Sequence, residues 1–408
     1  MSRVIAYTYY NSPWELKTGD DVRIHTILSE LAKSQSVIVF NLSARVQDHT
    51  ITYNNGVVYV SLTRNLYKVT SKIIGWKDHY DLNPLIKITH YLDEFFAAIK
   101  LRNELAKAQT ILVFGSMSIF SFIARMLGLK SKMIYDALAN YAQTLYLRSR
   151  KSLTELIRYG LYLILHKLQL KSSNVIVYPS NVDLSNAKQM FKLARAFVVP
   201  NPLPIRYNSL EEYVNLRSKR SDYSRPYFLL LAGGRGKANE EAVKVTIRIF
   251  NEFPSEKFKL MITGPWLNMK SLARNPSIEI LGVVPQERLK EILAVADYGL
   301  APVFSHSAGT FIKVLAYIAA GLDVIASPYA VMGLSFPPGI KLHIVENTED
   351  YKKAVLRLLC EHHSIKGVEK RCAVIRGAMQ QDQKLEILCR EVAQMYSGGE
   401  KSKHSPLL

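Results

Sequence analysis

Cysteine is scarce in this sequence. Its 408 residues contain three, all near the C-terminus and none in a CxxC pair: Cys360, Cys372 and Cys389. So few cysteines give neither a disulfide framework nor a metal-site signature, and they predict a reducing compartment. Long apolar runs are also missing, since no window reaches the roughly 18 to 20 residues of a membrane-spanning helix. The apolar run in the opening MSRVIAYTYYNSP is too short for a signal peptide. We therefore expect a cytoplasmic protein, soluble or peripheral on the inner face of a membrane.

Acidic residues are in short supply as well. The chain has 34 aspartates and glutamates against 53 lysines and arginines, for a net charge of +19. The excess is concentrated in residues 101–203, which hold 14 basic and four acidic residues. Such a surface attracts nucleic acid, anionic lipid or phosphorylated substrates, although a merely solvated basic surface fits equally well. No helix-turn-helix, RNA-recognition or zinc-finger spacing is present, which argues against a nucleic-acid partner.

What the sequence does contain is a repeated alternation of strand and helix patterns. Short β-branched runs such as RVIAYTYY, SVIVFNL and TILVFG alternate with amphipathic segments, which is typical of a doubly wound parallel sheet. We predict an α/β protein of the GT-B-like type, with two doubly wound, Rossmann-like domains facing a ligand cleft at the carboxyl ends of the strands. The predicted divisions are an N-terminal domain 1–203, a linker 204–226, a C-terminal domain 227–378, a helix 379–396 and a disordered tail 397–408.

A glycine-rich turn opens the second domain, directly after the strand pattern YFLLLA. It consists of Gly233, Gly234, Arg235, Gly236 and Lys237. Glycines let the backbone approach a ligand closely, and the following helix N-terminus offers free N–H groups, so the turn can hold a phosphate. It is not a complete dinucleotide fingerprint, because Asn239 stands where the third glycine is needed, and no P-loop GK[ST] is present. An ordinary strand-to-helix turn with exposed cations is the alternative.

A second turn with similar chemistry lies in APVFSHSAGTFIKVLAYIAAG. Ser307, Ala308, Gly309 and Thr310 sit at a predicted helix start, and Lys313 follows about one turn later. Amides, a hydroxyl and an ammonium would together hold a phosphate there. The alternative is a plain N-cap with a snorkelling lysine.

Two further strand-end turns lie between these. Gly264 occurs in ITGP and Val284 in LGVVP, and their backbones could contact a base or a ribose. Together the four turns predict a nucleoside diphosphate held between two helix N-termini.

The second half of the chain resembles the C-terminal domain of group 1 glycosyltransferases, GT-B enzymes that use nucleotide-diphospho-sugars. The similar motifs are, in order, FLLLAGG, KLMITGP, ILGVVPQERLKEILAVADYGLAPV and AGTFIKVLAYIAAGLDVIASPYAVMGL. In the first half, GDDVRIHTILSELAKSQSVIVF, KMIYDALANY, NVIVYPSNVD and FVVPNPL are similar to the family's opening glycine loop, strand-end aspartate, following strand and pre-linker PN motif. The resemblance covers nearly the whole chain.

The resemblance implies transfer of a sugar from a nucleotide-diphospho-sugar to a glycan or lipid-linked acceptor, with retention of configuration and without metal or other cofactor. It places the donor diphosphate between the first glycine turn and the helix start at Gly309, Thr310 and Lys313, with the base near Val283 and Val284. Basic side chains would neutralise the leaving diphosphate, which agrees with the lack of a DxD motif. We therefore predict Arg235 and Lys313 as catalytic residues.

The first half supplies candidates for the acceptor side. Asp136 ends the strand KMIYD and could orient a hydroxyl or act as a base; a helix or turn cap is the equal alternative. Gly19 and Arg23 belong to the predicted donor-facing loop, where Arg23 would steer a phosphate, unless it is a plain surface arginine.

Two positions depart from the family pattern. Ala316 stands where the family usually has the glutamate that holds the nucleotide ribose, and Ala308 stands where an acidic residue contacting the donor sugar is frequent. Losing a charged ribose contact removes about 1–3 kcal/mol. A catalytically degenerate GT-B scaffold or binding subunit is therefore the alternative function.

Two segments bear on membrane association. Residues 66–80 mix lysines with aromatic and aliphatic side chains, as a membrane interface selects. Residues 151–171 form a predicted helix with one polar stripe that includes Tyr162, His166 and Gln169, and a wide apolar face for a domain core or for lipid. With the basic excess around it, this helix makes an anionic membrane surface a predicted partner.

Overall fold

The computed structural model describes residues 3–8, 19–43, 51–54, 56–63, 65–66, 84–115, 118–138, 153–193, 195–234, 236–304, 312–360 and 369–380. The chain separates into two compact units, the first built on residues 1–200 and the second on residues 201–383.

Unit 1 is built on an eight-stranded sheet. Its strands are β1 (Arg3–Thr8), β2 (Ser36–Ser43), β3 (Ile51–Asn54), β4 (Val57–Thr63), β5 (Thr110–Phe114), β6 (Lys132–Asp136), β7 (Val175–Tyr178) and β8 (Ala196–Val198). Their order is β3-β4-β2-β1-β5-β6-β7-β8, and every pairing is parallel except that of β3 with β4. The central strands are buried along their length, which explains their unbroken apolar sequence.

Helices cover both faces of this sheet. They are α1 (Gly19–Ala32), α2 (Pro84–Lys100), α3 (Arg102–Ala106), α4 (Phe120–Met126), α5 (Leu153–Ser172) and α6 (Asn181–Met190). One core layer packs under α2, α4, α5 and α6, and the other lies under α1. Because each crossover helix runs back against the strands, the helix N-termini lie toward the carboxyl edge of the sheet.

Unit 2 has a six-stranded, fully parallel sheet. Its strands are β9 (Tyr227–Leu231), β10 (Lys259–Thr263), β11 (Ile278–Gly282), β12 (Tyr298–Ala301), β13 (Asp323–Ala326) and β14 (Leu342–Ile344), in the order β11-β10-β9-β12-β13-β14. Its helices are α7 (Leu210–Ser218), α8 (Lys237–Phe250), α9 (Gln286–Val295), α10 (Ile312–Ala319), α11 (Pro328–Val331) and α12 (Thr348–Cys360), with further helical residues at 369–380. The pairs α8/α12 and α9/α10 pack on opposite faces of the sheet.

The α/β prediction of parallel sheets covered by helices is confirmed. The segment predicted as a linker, 204–226, folds as part of unit 2, because Tyr213 of α7 and the side chains of Arg217 and Arg220 are buried there. Its prolines and charged residues led to the linker prediction. Arg217 and Arg220 are instead buried and bind the Asp297 carboxylate. Apart from residues 379 and 380, the predicted helix 379–396 and tail 397–408 lie outside the described residues.

Those arginines surround one carboxylate at the start of β12. Asp297 is buried and accepts from Arg217 Nη2 at 2.9 Å, Arg220 Nη1 at 2.6 Å and Arg371 Nη2 at 3.0 Å. Its Oδ2 also accepts from the Tyr227 N–H at 2.8 Å, at the start of β9. Burial alone would raise the pKa of Asp297, but the three guanidinium groups reverse this and hold that pKa below its usual value.

The same arginines cap a helix. Arg217 Nη1 donates to three consecutive carbonyls at the C-terminal end of α9, and Arg371 Nη1 donates to the last of them at 2.7 Å. Cations at a helix C-terminus satisfy free carbonyls and complement the helix dipole. One aspartate thus ties together two strand starts, the end of α9, α7 and the 369–380 helix.

We expect Asp297→Ala to destabilise unit 2 strongly, by about 3–5 kcal/mol, because it leaves buried guanidinium groups without a counter-charge. Urea unfolding monitored by circular dichroism measures this. Glu252→Ala, which breaks the exposed Glu252–Lys352 pair, is the matched control and should change the midpoint little. Equal midpoints for the two variants would show that the cluster carries no stability.

Candidate functional site

The turns predicted to hold a phosphate lie at the carboxyl edge of the unit 2 sheet. Three adjacent parallel strands, β10, β9 and β12, end at this edge. β9 leads through Gly233 and Gly234 into α8, whose first hydrogen bonds run from the Asn239 and Glu240 N–H groups to the Gly236 carbonyl at 3.0 and 3.1 Å. β12 leads toward α10, which begins at Ile312.

The two helix starts are joined by one side chain. Asn239 Nδ2 donates to the Gly234 carbonyl at 3.0 Å, and its Oδ1 accepts from Lys313 Nζ at 2.6 Å. Asn239 therefore fixes the glycine turn from within α8 and at the same time holds the lysine of α10. The sequence predicted these two segments to approach each other, and the described atoms of both do so.

Lys313 is half-buried at this junction. Burial lowers the pKa of its ammonium to about 8, since desolvation disfavours the charged form. An anion bound beside Lys313 would favour its protonated form again. Because this ammonium is poorly solvated, a bound phosphate would stabilise it more than it would stabilise an exposed lysine.

The other predicted cation, Lys237, is placed differently. Its side chain is 87% exposed, and its Nζ lies 3.9 Å from Glu241 on the outside of α8. The structure therefore does not bring Lys237 to Lys313. Four predicted residues of the two turns, Arg235, Ser307, Gly309 and Thr310, lie outside the described residues, as does Ala308.

Gly264 makes a tight turn at this edge. Its φ is +118°, and a Cβ there would lie 2.0 Å from the Ala232 carbonyl oxygen. The Gly264 N–H donates to the Gly282 carbonyl at 2.8 Å, while Trp266 Nε1 donates to the Ala232 carbonyl at 2.6 Å. Only glycine lets the β10 turn pass so close to the end of β9.

The next turn presents apolar surface. Val283 is 69% exposed after the end of β11, whereas Val284 packs partly into the core. Of the two valines considered for a base, Val283 thus offers the open face and Val284 anchors the turn.

Tyr317 holds β9 and β12 at this edge. Its hydroxyl donates to the Leu300 carbonyl at 2.9 Å and accepts from the Leu231 N–H at 2.8 Å. A Cβ at Gly299 would lie 2.2 Å from the Tyr317 ring, so the ring requires that glycine. The neighbouring Ala316 is 2% exposed within the apolar core, so the position of the family glutamate is enclosed by apolar side chains.

Two candidates from the first half, the donor-side Arg23 and the acceptor-side Asp136, form a buried ion pair in unit 1. Arg23 Nη2 lies 2.9 Å from Asp136 Oδ2, and Arg23 Nε donates to both carboxylate oxygens at 3.2 and 3.1 Å. Arg23 Nη1 also donates to the carbonyls of Val199 and Pro200 at 2.6 and 3.1 Å. Arg23 is fully buried, which contradicts the surface-arginine alternative.

The Asp136 carboxylate also shapes its own turn. Its Oδ1 accepts from the Leu138 N–H at 3.1 Å, and Leu138 has a φ of +52°, unusual for a side chain of that size. Asp136 and Arg23 thus stabilise a strained strand-end turn, while their roles in chemistry stay predictions. Gly19 is the first residue of α1, four residues before Arg23.

Three residues at the carboxyl edge of the unit 2 sheet were not singled out from the sequence. Asn239 was noted only as the failure of a glycine fingerprint, although a side-chain amide just inside a helix start is a usable signal. Trp266 and Tyr317 read as ordinary core residues, because aromatic side chains in apolar runs give no sign of the bonds they make. Within the described residues, no group of three or more His, Cys, Asp or Glu could hold a metal ion.

Comparison with known proteins gives a family match in unit 2. Residues 227–361 match the model of the family described as "Glycosyl transferases group 1". This confirms the predicted resemblance over those residues and supports glycosyltransferase function. No curated protein sequence matches the chain.

Solved structures match along the whole chain. The sucrose-phosphate synthase of Thermosynechococcus elongatus is 13% identical, with a TM-score of 0.71, covering 97% of this chain and 98% of that one. A UDP-forming α,α-trehalose-phosphate synthase of Burkholderia xenovorans, in complex with glucose-6-phosphate, is 13% identical at a TM-score of 0.68, covering 98% and 100%. WaaG, a glycosyltransferase of lipopolysaccharide biosynthesis, is 16% identical at a TM-score of 0.66, covering 98% and 100%. These likenesses confirm the predicted GT-B fold.

Because the Lys313 pKa is about 8, we expect the affinity for nucleoside diphosphates to fall as pH rises above 8. The protonated ammonium binds the anion, so deprotonation costs affinity, by up to about tenfold per pH unit until the pKa of the complex is reached. Calorimetric titration between pH 7 and 9.5 measures this. Lys313→Arg should remove the fall, and Lys244→Met, an exposed lysine paired with Glu240, should leave it unchanged. A flat wild-type profile would contradict the assignment.

We expect Gly264→Ala to destabilise unit 2 by more than about 3 kcal/mol, because the new methyl group would overlap the Ala232 carbonyl in a left-handed backbone. Urea unfolding measures the loss. Gly377→Ala is the control: no atom lies within 4 Å of its added Cβ, and alanine favours the helix there. If both variants unfold like the wild type, the close approach is not required.

Proposed function

We propose that this protein, whose residues 227–361 match the model of the group 1 glycosyltransferases, transfers a sugar from a nucleotide-diphospho-sugar to a glycan or lipid-linked acceptor. The transfer proceeds with retention of configuration and needs no bound metal or cofactor. The donor binds at the carboxyl edge of unit 2.

The observation that carries the proposal is the Gly234–Asn239–Lys313 connection. It holds a glycine turn, a helix N-terminus and a partly desolvated ammonium next to one another. Amide donors and a cation in one desolvated place are what a diphosphate requires. The UDP-forming synthase among the similar structures supports a uridine nucleotide as the first donor to test.

In the proposed reaction, the bond from the anomeric carbon of the donor sugar to the diphosphate oxygen breaks. A bond from that carbon to an acceptor hydroxyl oxygen forms, and the hydroxyl proton passes to the departing diphosphate. Lys313, Arg235 and the N-terminal amides of α8 stabilise the negative charge that develops on the diphosphate. Val283 and Val284 provide the apolar surface for the base.

The acceptor binds unit 1, where the Arg23–Asp136 pair shapes the strand-end turn. A sugar phosphate is bound by the trehalose-phosphate synthase, and lipopolysaccharide biosynthesis employs WaaG, which supports a sugar or a lipid-linked glycan as the acceptor class here. We place the protein in the cytoplasm, at the membrane inner face. The free thiols of Cys360 and Cys372 fit a reducing compartment.

The test is release of nucleotide from a panel of nucleotide-sugars, with and without simple sugar and lipid-linked acceptors. We expect one donor to give release, and Lys313→Ala to lower kcat by about 10²–10³, the usual effect of removing one charge-stabilising donor. Lys244→Ala, on the exposed side of α8, should match the wild type. Nucleotide binding without release from any donor would favour the degenerate scaffold, and neither binding nor release would overturn the proposal.

A further inference from the structure

Helix α5 buries several polar side chains and exposes several apolar ones, the reverse of an ordinary amphipathic surface helix. Its predicted polar stripe faces the sheet: Tyr162, His166 and Gln169 are all buried. Five of its apolar residues face outward instead: Leu153, Leu156, Ile157, Leu161 and Ile164 are between 45% and 72% exposed. The core alternative holds only for the C-terminal part of the helix, where Leu165 and Leu170 pack into the core.

Specific contacts fix this orientation. Gln169 Oε1 accepts from the Ser121 N–H at 2.9 Å, and its Nε2 donates to the Ser121 hydroxyl at 2.9 Å, which joins α5 to the start of α4. His166 stacks on Tyr162 at 5.1 Å and meets Tyr135 edge-on at 5.9 Å. Burial lowers the pKa of His166 to about 4, so its ring is neutral at physiological pH. Rotating α5 to hide its leucines would break all of these contacts.

The neighbouring helices extend the apolar surface. In α2 an exposed stripe recurs at helical spacing: Ile88, Leu92, Phe96 and Ile99, of which Phe96 is 56% exposed. Met126 of α4, which lies between α2 and α5, is 65% exposed. We call these residues and the five of α5 the outer apolar face. Because α4 contacts both α2 and α5, these exposed side chains lie on neighbouring helices, and a large exposed apolar patch on a soluble protein marks an interaction surface.

Basic side chains border this face. Exposed lysines occur at or near the C-terminal ends of its helices: Lys100, Lys130, Lys167 and Lys171. Acidic groups are withdrawn, since Asp93, Glu94 and Asp136 are buried and the surface carboxylate of Glu104 pairs with Lys107 at 2.9 Å. The side chains of Glu155 and Arg158 in α5 lie outside the described residues. Among the described side chains, this surface is apolar and positive, a combination that complements an anionic lipid bilayer.

We propose that the outer apolar face docks unit 1 on an anionic membrane. Leucine, isoleucine and phenylalanine side chains of α2 and α5 enter the headgroup boundary, and the lysines contact lipid phosphates. Within the described residues, no helix is long and apolar enough to span a bilayer, and the proposal has these helices lying on the membrane. The apolar part of α5 is its N-terminal half, which lies toward the carboxyl edge of the sheet that carries Asp136, so docking would bring a lipid-linked acceptor near that edge.

The test is co-sedimentation of the full chain with phosphatidylcholine vesicles, with and without phosphatidylglycerol, at low and high salt. We expect binding to the anionic vesicles that salt weakens. Ile157→Ser/Ile164→Ser should lower the partition coefficient by on the order of tenfold or more, and Lys167→Gln/Lys171→Gln should lower it by on the order of tenfold at low salt only.

Matched controls lie in unit 2. Leu272→Ser/Leu356→Ser removes two apolar side chains of similar exposure, and Lys257→Gln/Lys353→Gln removes two exposed lysines; both should bind vesicles like the wild type. Thermal shift with a nucleoside diphosphate, run on every variant, reports folding and donor binding separately from docking. The docking inference does not depend on the donor chemistry, so its failure leaves that measurement unchanged.

Two results would overturn the proposal. One is the absence of wild-type enrichment on anionic vesicles. The other is a wild type that self-associates in solution while Ile157→Ser/Ile164→Ser is monomeric and neither binds lipid, which would assign the face to a second copy of the chain.

Discussion

One buried aspartate, Asp297, organises unit 2. Its three guanidinium partners come from sequence positions as far apart as 217 and 371, and its fourth contact is the first N–H of β9. β9 and β12 therefore start from a shared fixed point and run side by side, in register, to the edge where the glycine turn and α10 begin. Burying these charges costs desolvation free energy, which their mutual ion pairs and hydrogen bonds offset only in this one arrangement of strands and helices. Here that arrangement sets where the glycine turn and the chain leading to α10 leave the sheet.

Beyond this fixed point, contacts at the carboxyl edge of the sheet position individual turns. Gly264 allows the β10 turn to pass against Ala232, and Asn239 then connects the glycine turn to Lys313. Unit 1 also has a buried ion pair with this function. Arg23 connects Asp136, at the end of β6, to the carbonyls of Val199 and Pro200. In both units a buried cation organises backbone carbonyls near a strand terminus. Polar groups in these interiors therefore specify geometry, and once buried they need their partners for the fold to stay stable.

The sequence predicted the parts that depend on local periodicity. Alternating β-branched and amphipathic runs identified two parallel sheets, and glycine turns after strands located Gly264 and the α8 start. What failed were features set by distant partners. Residues 204–226 looked like a linker because the counter-charge of Arg217 and Arg220 lies 77 or more positions away, in Asp297. For α5 the sequence left open whether its apolar face packs in the core or meets lipid, since the buried contacts of Gln169 and His166 with distant residues give no local signal.

The Tyr317 side chain fixes the distance between the ends of β9 and β12. Its hydroxyl bonds to both Leu231 and Leu300, and its ring fills the space beside Gly299. A rigid aromatic spacer makes the width of the sheet at that edge independent of whatever the adjoining loops contain. Loop residues at this edge can therefore be exchanged while the strands that carry them keep their spacing.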